Sequence, residues 1–199
     1  MRTKLPAEVE RRVVAKLYAD AQSLDWPNLT SQERTAQYAR WVADPEVGGK
    51  LKAHATEGEL RVWIKDGPMK ELSRASSGMG RYAALIPNAD EVPARLVERV
   101  LGEEWELVAG SVTVKPLRLT AGHRADDREA VLTWGQVSDF KHLVWSALNA
   151  TVNGDARPWT LCLVETLTHP TPANERLAHE RLARRCGLTV THVSLEDTP

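Results

Sequence analysis

The chain lacks most of the marks by which an enzyme or a membrane protein is recognised. Of its 199 residues one is phenylalanine and two are cysteine, and its formal net charge is -1. A near-neutral balance excludes the class of strongly basic proteins that coat nucleic acid or anionic membranes indiscriminately. Cys162 and Cys186 lie in segments that read as a strand and a helix end, with no zinc-ligand spacing around them. They are expected to be reduced core residues rather than a disulfide or metal pair. No run approaches the roughly 20 consecutive apolar residues of a membrane span, and the opening MRTKLPAEVERR contains no long apolar stretch. The expectation is a cytoplasmic protein. Walker loop, GxGxxG, nucleophile elbow and HExxH are all missing, so the common phosphate, dinucleotide, hydrolase and metalloprotease signatures are excluded. His54, His123, His142, His169, His179 and His192 are scattered along the chain. Glu165 followed by His169 is the nearest approach to an acid-base pair, at a spacing that does not enforce contact. No catalytic residue, metal or cofactor is assigned from the sequence.

What is present is an ordinary globular composition, 42% hydrophobic and 27% charged, with one local excess of positive charge. The stretch RVWIKDGPMKELSRASSGMGRY sets Arg61, Lys65, Lys70, Arg74 and Arg81 against only Asp66 and Glu71. Clustered cations are what a polyanion-binding surface needs, because they neutralise phosphates and release condensed counterions. The alternative is a solvated helix face with ordinary surface pairs. Seven tryptophans accompany the single phenylalanine. Most are expected in the core, since large aromatics bury the most area, and one or two are open to stacking on a base.

Residues 1–85 read as short helices. Val9, Val13, Val14, Leu17 and Tyr18 recur at helical spacing and end near Leu24. Thr30 with Glu33, and Thr56 with Glu59, form capping boxes that open two further helices. Pro45 starts a short helix that stops before His54. Gly67-Pro68 breaks the fourth helix from a basic fifth that runs to about Ser76. Such a corner presents side chains and a helix N-terminus to a phosphate backbone, and it is equally compatible with a plain helical hairpin.

Residues 89–199 read as an α/β domain with a mixed sheet, in the order α-β-β-β-α-β-α-β. The strands are expected at Trp105–Ala109, Ser111–Thr120, Ala130–Val137, Trp159–Leu167 and Leu188–Leu195. The helices are expected at Asp90–Leu101, from a Ser138 cap through Leu148, and at Pro172–Cys186. The whole chain is therefore expected to be α+β. This element order, closing on ARRCGLTVTHVSL, resembles the core of PD-(D/E)XK nucleases over roughly residues 90–195. Those enzymes place an acid on the second strand and acidic-x-Lys on the third, so that two carboxylates hold Mg²⁺ while lysine positions water. The third strand here, VLTWGQVSDF, has no acidic-x-Lys, which implies a nuclease-like scaffold stripped of its catalytic set. A nuclease with an atypical metal site would have to draw on Asp126, Asp127, Glu129 or Glu165.

The run SLDWPNLTSQERTAQYARWVADPEVGG, followed by RVWIKDGPMKELSRA, resembles small bacterial two-domain proteins that bind DNA carrying 5-methylcytosine and are associated with restriction of methylated DNA. The resemblance implies that residues 1–85 carry the DNA contact; the charge excess there makes Arg61, Lys65, Lys70, Arg74 and Arg81 the candidate DNA-binding residues. Trp41, Trp63 and Tyr82 are the candidate base-stacking residues or pocket walls. The partners in view are double-stranded DNA, methylated by the resemblance, together with a partner nuclease or a second copy of the chain. No membrane partner is expected. A third class, an interaction module binding another protein through Trp-rich helices, stays open.

Overall fold

A computed structural model of the chain describes residues 5–114, 117–165 and 170–195. The chain divides into two compact units, up to Ala89 and from Asp90 onward. Helices make up the first and a mixed sheet with helices the second, so the protein is α+β.

The first unit is built on α1 (Ala7–Ser23), whose Val13, Val14, Leu17, Tyr18 and Ala21 are buried at helical spacing. Helix α2 (Ser31–Ala43) starts at the Thr30/Glu33 capping box and buries Trp41 and Val42. Asp20 ties the two helices together, accepting from Lys16 Nζ at 2.7 Å and from Trp41 Nε1 at 3.0 Å. Trp26, Tyr38 and Trp41 pack around that junction with ring centroids 5.2 to 6.0 Å apart.

The short helix expected after Pro45 is a wide π turn, Pro45–Gly49. Asp44 Oδ1 accepts the Glu46 and Val47 amides at 2.6 and 3.2 Å. A Cβ on Gly48 would lie 1.8 Å from the Val42 carbonyl oxygen, so only glycine lets the turn close on the end of α2.

The Thr56/Glu59 box opens α3 (Glu57–Asp66), and Gly67 separates it from α4 (Pro68–Ser76). At Gly67 a Cβ would sit 2.7 Å from the Trp63 carbonyl oxygen, which allows the tight reversal only to glycine. Tyr18 Oη donates to the Pro68 carbonyl at 2.9 Å and fixes the start of α4 against α1. Burial, with the Glu71 carboxylate adding to it, pushes the Tyr18 phenol well above its ordinary value, so it remains a donor.

In the second unit α5 (Val92–Leu101) precedes β1 (Trp105–Leu107), β2 (Thr113–Val114), β3 (Leu117–His123) and β4 (Glu129–Gln136). Helix α6 (Phe140–Val152), β5 (Trp159–Glu165), α7 (Ala173–Arg185) and β6 (Thr189–Ser194) follow. The sheet runs β1-β3-β4-β5-β6, with β2 beside β3. β1, β3 and β4 are antiparallel neighbours, with Trp105 opposite His123 and Ala121 opposite Ala130. The steps from β4 to β5 and from β5 to β6 are parallel, because each strand returns through a helix. Val131, Leu161 and Leu163 meet Leu143 and Ala147 of α6 and Ala183 of α7 on one face. Leu132, Trp134, Cys162 and Val164 point the other way and are buried too, which is why β4 and β5 read as continuous apolar runs.

Three local expectations need correction. The strand expected over residues 111–120 is two strands, and β2 folds back antiparallel onto β3. Ser138 does not cap α6; it lies within a 3₁₀ turn, Val137–Asp139, held by a Gln136/Asp139 box. Cys162 is buried and its thiol is pushed up to about 12 by burial, whereas Cys186 is exposed rather than in the core. Leu167, the expected end of its strand, lies outside the described residues.

Candidate nucleic-acid interface

Helix α3 buries Leu60 and Ile64 one turn apart, so the opposite face must look outward. Arg61 and Lys65 stand there one turn apart, both exposed, with Val62 57% exposed beside them. Glu57, the residue best placed to pair with Arg61, is engaged by Lys52 at 3.2 Å instead. Beyond the Gly67 reversal, α4 buries Met69 and Ala75 and leaves Lys70 exposed. Arg61, Lys65 and Lys70 make no ion pair among the described residues. Arg74, one turn after Lys70, is half-buried and engaged in interactions of its own.

Arg81 stands apart from this set. Its guanidinium is bound by the Glu10 carboxylate, reaches the Tyr82 hydroxyl and covers the Tyr82 ring at 4.2 Å. A second carboxylate is close, since Glu71 Oε2 would lie 3.3 Å from a Cβ at Gly80. The electrostatics separate the two neighbourhoods. Tyr18 feels Glu71 and Arg81, whereas Tyr38, raised chiefly by burial, is drawn down by Arg34 and Arg61 and pushed up by Asp66. Arg61 therefore shares its neighbourhood with Arg34 of α2 and Asp66, and Arg81 with Glu10 of α1 and Glu71 of α4.

The candidate aromatic walls divide in the same way. Trp41 is 1% exposed with its Nε1 satisfied by Asp20, and Tyr82 is 5% exposed. The Tyr82 hydroxyl donates to Glu10 at 2.6 Å, and its ring meets Tyr18 edge-on at 6.2 Å. Both are core side chains with their polar tips paired, and neither offers a ring face to a base. Trp63 is half-buried against the same core.

The acids proposed for an atypical metal site are each committed elsewhere or isolated. Asp126 binds Arg128 at 2.8 Å; Glu129 binds Arg157 at 3.2 Å; Asp127 is exposed in the turn. Burial opposes ionisation of Asp126, but hydrogen bonds from Arg128 outweigh it and hold the carboxyl below its ordinary value. Glu165 ends β5, level with the residue after Gln136, while Glu129 begins the parallel β4, so the two lie about 26 Å apart along the strands at roughly 3.3 Å per residue. No group of three or more His, Cys, Asp or Glu is placed to hold a metal among the described residues. His169, the expected partner of Glu165, lies outside them.

Two arrangements escaped the sequence reading. Glu10 meets Arg81 across 71 residues, and His192 meets both Glu165 and His179 across the sheet edge. Nothing in the local pattern marks either, since both depend on how the helices and strands pack. The chain matches no family model, no curated protein and no solved structure.

Proposed function

We propose that the protein binds double-stranded DNA through the outward face of α3 and the start of α4, with Arg61, Lys65 and Lys70 on phosphates and without catalysis of its own. The observation that carries this reading is that these three cations are exposed and make no ion pair among the described residues, in a chain of net charge -1. Arg81, neutralised by Glu10, adds little to it. In this reading the α/β unit is a nuclease-like scaffold that supports the DNA contact or recruits a partner. The resemblance to 5-methylcytosine-binding proteins supports a role in restriction or defence with a preference for modified cytosine. Because Trp41 and Tyr82 are committed to the core, such a methyl group is read at the groove face. Burying one methyl contributes about 0.8 kcal/mol, which is about a fourfold preference.

The test is a titration of otherwise identical duplexes, unmodified and cytosine-methylated, at two salt concentrations. Salt-sensitive binding of both, with the methylated duplex tighter by about fourfold, is the expected result. Binding to neither duplex at low salt would falsify the reading.

A second reading, a protein-interaction module, is favoured by α6. Trp145 and Val152 lie seven residues apart on that helix and are 70% and 85% exposed. Under it, alanine at Arg61, Lys65 and Lys70 leaves function untouched.

A further inference from the structure

Helix α7 is held to the sheet by very little. Of its 13 residues only His179 and Ala183 are buried, while Leu177 and Leu182 are 45% and 53% exposed. Its buried polar anchor is an imidazole, beside an ion pair from Arg176 to Glu165 of β5. His179 Nδ1 lies 3.3 Å from His192 Nε2 on β6, and the two rings stack at 5.3 Å and 22°. Phe140 of α6 closes the other side of His179 at 4.4 Å.

A hydrogen bond between two ring nitrogens needs one donor and one acceptor. The neutral pair satisfies that, and so does a pair carrying one proton. With two protons both facing nitrogens become donors, and two cations are stacked in a site where the side chains are 10% and 5% exposed. We propose that the His179–His192 pair is an acid-released latch that fastens α7 to the sheet, closed while at least one ring is neutral and open once both are protonated.

The surrounding charges fit this role. From β5, Glu165 Oε2 comes within 3.6 Å of His192 Nδ1, which is buried and has no hydrogen-bond partner among the described residues. Glu165 is already held by the Thr171 amide at 2.7 Å and by Arg176 of α7. Burial opposes its ionisation, yet these partners outweigh burial and keep its carboxyl below the ordinary range. From α7 itself, Glu175 lies 4.0 Å from His179 Nε2. α6 contributes the uncharged Phe140.

Burial, reinforced by Arg176 and His179 and opposed by Glu165, holds His192 below its ordinary value of 6.5. The closed state therefore takes up protons less readily than the open one. Its advantage is complete above the ordinary imidazole value and is lost as pH falls through the lower closed-state value. Opening bares the apolar cluster that Ala183 shares with Leu161, Leu163 and Leu188.

The experiment is hydrogen exchange of the full chain, corrected for intrinsic rates, at about pH 7.5 and about pH 5. In the wild type, α7 amides are expected to lose protection at least about tenfold in acid, while α6 and β4 amides hold theirs. In His179→Gln, which cannot take the second proton, the acid response of α7 should fall below about twofold. Should that variant fail to fold, the wild-type comparison still decides. Equal α7 protection at both pH values in the wild type overturns the latch, and so does an undiminished acid response in a folded His179→Gln.

Discussion

Replacing Arg61, Lys65 and Lys70 together by alanine is expected to weaken binding to a mixed-sequence duplex by about a hundredfold at about 0.1 M salt. Each cation on a phosphate adds about -0.9 to the log-log salt slope, which at that salt corresponds to nearly tenfold per contact. Three full contacts would multiply to several hundredfold. Partial engagement of the two flexible lysines lowers the figure to about a hundred. Arg81→Ala should change affinity less than about threefold, since its charge is already matched by Glu10. The contrast between these variants is the informative part. A general loss of positive charge would make Arg81 count like the others, whereas a localised face makes it nearly silent. All four side chains are exposed, so neither change should disturb folding, and a thermal melt of each variant checks that directly.

Trp41→Ala is expected to cost the helical unit about 4 kcal/mol, as truncation of a buried tryptophan does. Trp41 is 1% exposed, sits among Trp26 and Tyr38, and its Nε1 holds Asp20. Truncation therefore opens a cavity and also leaves a carboxylate at the α1–α2 junction with one donor fewer. Denaturant unfolding followed through the remaining tryptophans measures the loss. Trp41→Phe keeps most of the apolar volume and should leave duplex affinity unchanged wherever the protein is folded. A tenfold or larger affinity loss in a stably folded Trp41→Phe, with the melt near that of the wild type, would move Trp41 from the core account to the base-reading account.

The parts of the fold legible in the sequence are those fixed by interactions within four residues. The Thr30/Glu33 and Thr56/Glu59 boxes, the Gly67-Pro68 break and the valine and leucine spacing of α1 all report local geometry. The parallel order of β4, β5 and β6 was also within reach, because helices between strands enforce crossovers. What escaped depends on distant partners. The wide turn at Pro45–Gly49 is set by how closely Gly48 meets Val42. A helix end does not tell from sequence whether Cys186 faces the core, and it falls where α7 ends at the surface. In the candidate interface, exposure of Arg61 and Lys65 follows from burial of Leu60 and Ile64 one turn apart. The capture of Arg81 by Glu10 does not, because the two meet only when α1 packs beside the Tyr82 segment.

In the proposed complex Arg61 and Lys65 of α3 and Lys70 of α4, which make no ion pair among the described residues, engage a phosphate backbone. The salt dependence of wild-type duplex affinity, measured by fluorescence anisotropy from about 0.05 to about 0.2 M salt, tests it most directly. Three phosphate contacts predict a log-log slope between about -2 and -3. A slope near zero, or a slope unchanged when Arg61, Lys65 and Lys70 are alanine, would contradict the claim.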